Sequence, residues 1–236
     1  MISFSCGTLL CRRPHCGGGA DRPSVIGGWM DVELCRAWML RFSELVDSEA
    51  DRLTALDAAI GDGDHGVNMR RGMRAAVAAR GESPPDAPGH VLVATGRALV
   101  AKTGGAAGPL YGTGFRRAGK ALTDTEVASA AEVDAALVAM LAGIQDLGQA
   151  VEGDKTMIDA LAPAVSAFEA SAGDGLAAAA EAAAKAAGEG AVATVPLQAR
   201  KGRASYLGER SIGHEDPGAA STALLLRALA EVTAES

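Results

Sequence analysis

Aromatic side chains are scarce in this chain: four Phe, two Trp and two Tyr make up only 3% of its 236 residues. Clusters of β-branched residues are sparse as well, while Ala abounds, so intrinsic propensity favours helices over sheets. Also missing is any run of about 18 apolar residues, the length a membrane-spanning helix needs. Positive charge is in deficit, with a formal net charge of −7. Nonspecific nucleic-acid binding needs clustered Lys and Arg to neutralise phosphates, so the balance points to small-molecule or protein partners. A cytoplasmic protein that engages neither nucleic acid nor membrane is the expectation. At 48% hydrophobic content the chain has ample material for one core.

Cysteine is sparse too, and three of the four (Cys6, Cys11 and Cys16) sit near His15 in one N-terminal stretch. Their spacing is not that of a C-x2-C zinc knuckle, and an even count alone does not argue for disulfides. The apolar stretch around Leu9 and Leu10 is too short for a signal-peptide h-region. Residues 1–30 therefore read as a disordered extension, or as a start placed upstream of Met30, ahead of a single domain over 31–236.

From Asp31 the pattern changes. Cys35, Trp38, Met39, Phe42, Leu45 and Val46 recur at the spacing of an amphipathic helix. The next segment carries Leu53, Leu56 and Ile60, with Asp57 on the same stripe, four residues after Leu53 and three before Ile60. A carboxylate on an inward face needs a reason. Further helices are predicted over 67–80, 91–102, 110–122, 126–151, 156–171, 176–187 and 219–232, the longest opened by a Thr123/Glu126 capping-box pattern. Breaks containing Gly or Pro separate them at 61–66, 81–89, 104–109, 153, 173–175 and 188–218. The expected fold is all-α: an antiparallel barrel or bundle of about eight helices in one domain.

The segment most loaded with chemistry places Asp57, Asp62 and Asp64 within eight residues, interleaved with Gly61, Gly63 and Gly66. Like-charged carboxylates about 4 Å apart repel by roughly 4 kcal/mol at an effective dielectric of about 20. Either they fan into water as an ordinary acidic turn, or cations hold them together; hard oxygen ligands suit Mg2+ or Ca2+. The inward position of Asp57 favours the cation. Gly61-x-Gly63-x-x-Gly66 formally matches the dinucleotide fingerprint, but no strand precedes it. The stretch from Gly114 to Lys120 nearly matches a P-loop, yet Ala121 stands where Ser or Thr is required.

Two other loops read as phosphate-facing. Gly104-Gly105-Ala106-Ala107-Gly108-Pro109 opens a predicted helix, where free amides and the helix dipole favour anions. Arg200, Lys201, Arg203 and Arg210 gather four cations in the late loop of an acidic protein.

Four blocks in order, GDGDHGVNM, GGAAGPLYGT, GDKTMIDAL and RKGRASYLGERSIGHEDPGAAS, resemble the nucleotide-binding domains of dihydroxyacetone kinases, whether separate L subunits or C-terminal domains of fused kinases. The resemblance covers about residues 31–232. It implies an eight-helix barrel with ADP or ATP held at one end, two Mg2+ ions on Asp57, Asp62 and Asp64, and a phosphoryl group passed to dihydroxyacetone on a partner subunit. It further implies that His65, Gly66, Val67 and Asn68 lie against the nucleotide, that Gly105, Ala106 and Ala107 supply phosphate amides, and that Gly153 and Ala162 line the adenine side. Arg203, Asp216, Pro217 and Gly218 would close over the nucleotide, with Arg203 stabilising the transfer together with the metals.

One departure stands out. Ala106 and Ala107 occupy positions where relatives commonly carry a hydroxyl, so a side-chain bond to phosphate is missing. The resemblance leaves open whether a phosphotransferase-system protein rephosphorylates bound ADP or exchangeable ATP is the donor, and whether the acceptor is another keto-sugar. It also leaves open a nucleotide-state sensor that binds a regulator, and ranks a fatty-acid-kinase role lower.

Overall fold

The computed structural model describes residues 28–79 and 86–235. The expected N-terminal extension, with Cys6, Cys11, Cys16 and His15, lies outside the described residues up to residue 27. Met30, which the expected boundary leaves in that extension, is buried and pairs with Ala128 in an isolated antiparallel bridge.

Helix α1 (Val32–Ser48) begins where the Asp31 carboxylate accepts the Leu34 N–H at 2.8 Å. This is the capping bond that satisfies an orphan first-turn donor. The predicted stripe turns inward as read: Cys35, Trp38, Met39, Phe42, Leu45 and Val46 are all buried. A short α2 (Ala50–Ile60) follows, then α3 (His65–Ala78), α4 (Pro88–Lys102), α5 (Ala107–Ala121), α6 (Ala130–Gly148), α7 (Ile158–Ser171), α8 (Leu176–Ala193) and α9 (Pro217–Ala234). Short 3-10 segments at Ala172–Asp174 and Arg203–Ser211 complete the elements, and no strand occurs among the described residues.

Packing follows chain order. Helices α3 to α9 each pack on the next, and α1 closes the circle by lying against both α9 and α3. Trp38 Nε1 donates to the Leu225 carbonyl at 2.9 Å across the α1–α9 seam. The ring thus has eight helices, with α2 set beside α3 and touching α9. Its interior is a continuous cluster in which Phe42, Phe115, Phe168, Met69, Met73, Leu99 and Leu225 are fully buried. Few aromatics are needed because Ala179, Ala180, Ala183 and Ala187 let α8 approach its neighbours closely. The expected all-α barrel is the observed architecture. No helix among the described residues is long and apolar enough to cross a membrane.

Two local expectations require correction. The capping box of α6 is formed by Ser129 and Glu132, not Thr123 and Glu126. The Thr123 hydroxyl instead donates to the Gly119 carbonyl at the end of α5, at 3.0 Å. Second, α8 continues through Gly188 and Gly190 to Ala193. Gly190 serves packing: a Cβ there would come 2.3 Å from the Asp159 carbonyl oxygen on α7.

Residues of the α2–α3, α4–α5, α6–α7 and α8–α9 loops come together at one end of the barrel. All four line a single cleft there.

Candidate functional site

Asp57 reaches that cleft from the last turn of α2, and it is 9% exposed. One of its oxygens, Oδ2, accepts the backbone N–H of Asp64 at 2.8 Å and of His65 at 3.1 Å. The carboxylate therefore folds the acidic loop back upon itself. Gly61 is required for this course: a Cβ at that position would fall 2.1 Å from Asp57 Oδ1. Gly63 turns the chain through φ +74°, a region that L side chains enter at a cost. As a result Asp57, Asp62 and Asp64 each bring a carboxylate oxygen to within 4.8 Å of the others, with Asp57 buried and the other two exposed. Three acids so arranged could hold a hard divalent cation.

Facing them is the loop between α4 and α5. Gly105 adopts φ +64°, and the position of its missing Cβ lies 4.0 Å from Asp64 Oδ1. The first turn of α5 carries no side-chain cap, and the residues that lead into it, Gly104 to Ala107, line the cleft. Asn68 on α3 is buried and braces this loop, its Oδ1 accepting from Arg71 Nη2 at 2.7 Å, while Arg71 Nε donates to the Lys102 carbonyl at 2.8 Å.

The third wall is basic. Lys201 and Arg203 of the α8–α9 loop line the cleft, whereas Arg200 and Arg210 do not. Arg203 begins a 3-10 segment pinned to the end of α2 through packing of Ala199, Ala204 and Leu207 on Ile60. Its Nε stands 3.0 Å from Asp62 Oδ2, and the guanidinium remains 71% exposed. The cleft is completed by Leu110, Tyr111, Lys155, Thr156, Met157, Asp216, Pro217 and Gly218, and it has a volume of about 200 Å³ and opens to solvent.

Of the residues singled out in the sequence, Asp57, Asp62, Asp64, His65, Asn68, Gly105, Ala106, Ala107, Arg203, Asp216, Pro217 and Gly218 all line this cleft. Gly66, Val67, Gly153 and Ala162 are not among its lining residues. Gly66 packs α3 on α2, where a Cβ would meet the Ala50 carbonyl oxygen at 1.9 Å. Val67 is 45% exposed, and Ala162 is buried within α7. Gly153 turns at φ +88° in the α6–α7 loop, its N–H donating to Asp159 Oδ1 at 2.6 Å.

Behind the cleft lies a hydroxyl network. His65 Nε2 is 2.9 Å from Ser221 Oγ, and the Tyr111 hydroxyl is 2.7 Å from Ser221 Oγ and 2.8 Å from Thr222 Oγ1. Burial pushes His65 below the ordinary imidazole range, against the pull of Asp57 and Asp64. It also pushes Tyr111 up to about 12. Sequence reasoning missed Ser221 and Lys155, although both fall inside the four blocks quoted above; a hydroxyl or a lysine in a polar segment gives no local sign of its distant partners.

Asp216 caps α9, its Oδ2 accepting the Ala219 N–H at 2.7 Å. Burial is the largest influence on its carboxyl, followed by the opposing pull of the cap, and the net effect is a rise from 3.8 to about 7. The folded chain holds this proton more tightly than the unfolded chain, so the associated stability is fully present below about pH 4 and lost as pH climbs through about 7. Asn keeps the cap without the charge. Thermal melts are expected to show Asp216→Asn gaining on the parent protein as pH is raised from 5 to 8; a pH-independent difference would contradict the assignment.

Comparison with known proteins agrees with this geometry. The DAK2 domain family matches residues 59–231. The PEP-dependent dihydroxyacetone kinase 1 ADP-binding subunit DhaL of Listeria innocua is 43% identical over 84% of this chain and 96% of its own length. The corresponding ADP-binding subunit of Escherichia coli K12 is 40% identical over 82% of this chain and 93% of its own. Among solved structures, the dihydroxyacetone kinase of C. freundii in complex with AMP-PNP and Mg2+ superposes with a TM-score of 0.66 at 28% identity, covering 94% of this chain. This chain spans only 38% of that larger kinase chain. A domain match over most of the length, together with relatives above 30% identity along nearly their whole sequences, establishes that the chain belongs to the DAK2 family of dihydroxyacetone-kinase nucleotide-binding subunits, a family of phosphotransferases.

Proposed function

We propose that this protein holds ADP or ATP through two Mg2+ ions and passes a phosphoryl group to dihydroxyacetone bound on a separate subunit. The observation that carries the reading is the convergence of Asp57, Asp62 and Asp64 opposite a glycine-rich helix start and two basic side chains in one cleft. The donor set fits the metal: three carboxylate oxygens within 4.8 Å would repel unless a cation joined them. Bound there, Mg2+ would neutralise phosphate charge and polarise the transferring group.

The chain's own residues supply the rest. Amides of Gly105, Ala106 and Ala107 donate to phosphate oxygens, and His65 and Asn68 approach from α3. Leu110, Met157 and Pro217 offer the apolar surface that a base requires, with Gly218 beside them. Lys201 and Arg203 flank the polyphosphate, and Arg203 is positioned to swing from Asp62 to the transferring oxygens. No side-chain hydroxyl at 106 or 107 assists, so the amides there act alone.

The acceptor site belongs to a partner, because relatives of matching length are named as ADP-binding subunits. Relatives named PEP-dependent or PTS-dependent favour rephosphorylation of bound ADP by a phosphotransferase-system protein. A mixture of the purified chain, a dihydroxyacetone-binding subunit and the phosphotransferase-system donor is expected to yield dihydroxyacetone phosphate only when all three are present. Product from ATP without the donor protein would favour exchangeable nucleotide. Retained ADP with no product under either condition would leave a nucleotide-state sensor as the better reading.

A further inference from the structure

Lys155 is only 1% exposed, yet it is a lysine in a loop beside a polar cleft. Its backbone sits at φ +62°, a left-handed conformation that is costly for a non-glycine residue. Strain of that kind persists where surrounding contacts demand it. Here the demand is visible. Lys155 Nζ donates to the carbonyls of Thr194 at 2.9 Å, Leu197 at 3.0 Å and His214 at 2.5 Å, with Val195 at 3.4 Å. An ammonium with three protons, enclosed by four carbonyl oxygens, replaces its water shell with backbone dipoles. Burial lowers its proton affinity, and the charges of Asp216 and Asp159 pull the other way.

The carbonyls belong to the two ends of the α8–α9 loop, 39 to 59 residues further along the chain. Each end carries part of the cleft. From Thr194 the tie passes on through its Oγ1, which accepts the Asp216 N–H at 2.9 Å and so sets the wall formed by Asp216, Pro217 and Gly218. Val195 accepts the Gly213 N–H at 2.8 Å, joining the two ends to each other. A second stitch, Arg200 N–H to the Asp154 carbonyl at 3.0 Å, lies just before Lys201 and Arg203. Without the ammonium, the carbonyls of Thr194, Val195, Leu197 and His214 would lose a shared donor at the loop junction, and the loop that aims Arg203 would lose the tie that joins both its ends to the α6–α7 loop.

We propose that Lys155 is the positioning residue of the nucleotide cleft, its ammonium acting as a cation at the hub of a carbonyl cage that fixes the basic loop over the acidic one. The proposal rests on the nucleotide-binding reading above. It does not place Lys155 among groups that touch the phosphates.

The test compares the parent protein with Lys155→Met by ADP titration in Mg2+ and by amide hydrogen exchange without nucleotide. Lys155→Met is expected to bind ADP about 10- to 100-fold more weakly, the range seen when groups that orient ligands are removed. Its exchange is expected to rise over 194–216 while α1 and α3 to α6 stay protected. Unchanged affinity, unchanged exchange over 194–216, or a rise spread evenly through the barrel would each overturn the proposal. Should Lys155→Met fail to fold, Lys155→Arg keeps the charge, but its planar fork cannot converge on four carbonyls, and the same two readouts apply. A parent protein that binds no ADP would sink the nucleotide reading alone, since the exchange comparison still decides whether Lys155 orders the loop.

Discussion

Asp57→Asn is expected to abolish metal-dependent nucleotide retention while leaving the barrel folded. The carboxylate does two things that this variant separates. Its Oδ2 orders the loop by accepting two backbone N–H groups, a task an amide oxygen can also perform. Its charge, on a side chain only 9% exposed, supplies the negative end that draws a divalent ion inward; an amide cannot. Loss of at least about 100-fold in ADP affinity in Mg2+, near 2.7 kcal/mol, is the expected result. The binding that remains in EDTA should be the same for variant and parent. Asp57→Ala should lose the metal as well and disorder the 61–65 loop, so its melting temperature should fall below that of Asp57→Asn. Isothermal titration with and without Mg2+, alongside thermal melts, separates these outcomes, and full affinity in Asp57→Asn would remove Asp57 from the metal site.

Arg203→Gln carries the second large effect, and it falls on rate. The ion pair of Arg203 with Asp62 is solvent-exposed on both sides and is worth no more than about 1 kcal/mol. The guanidinium is therefore free to leave Asp62 when a metal claims that carboxylate. An arginine that meets transferring phosphoryl oxygens contributes about 10³-fold or more to turnover. Dihydroxyacetone phosphate formation in the reconstituted system should fall by that order in Arg203→Gln, with ADP affinity changed less than about 10-fold. Lys at 203 should restore little, since a point charge lacks the planar fork. A variant that turns over normally would reduce Arg203 to a surface partner of Asp62.

The barrel was readable in the sequence because its signals are local and repeat. The stripe from Cys35 to Val46 and the Gly-rich breaks place helices without reference to distant contacts, and Ala-rich segments admit few alternatives. The acidic loop was readable for a different reason: Asp57 broke an apolar stripe, and burial of a carboxylate demands an explanation. Where the reading failed, two local patterns competed or a distant contact decided. Thr123/Glu126 and Ser129/Glu132 satisfy the same spacing rule, and only the course of the chain into α6 selects the second. Gly188 and Gly190 look like breakers, yet Gly190 is there to let α8 approach α7. Lys155 is the sharpest case. Nothing within GDKTMIDAL tells that its ammonium is enclosed by carbonyls from beyond residue 193.

In the proposed function the three carboxylates bind polyphosphate through metal. Native mass spectrometry of the protein loaded with ADP and Mn2+, then desalted, tests it most directly. ADP retained with two metal ions, both lost together on treatment with EDTA, is the expected result. ADP retained with no metal, or metal retained equally well by Asp57→Asn, would contradict it.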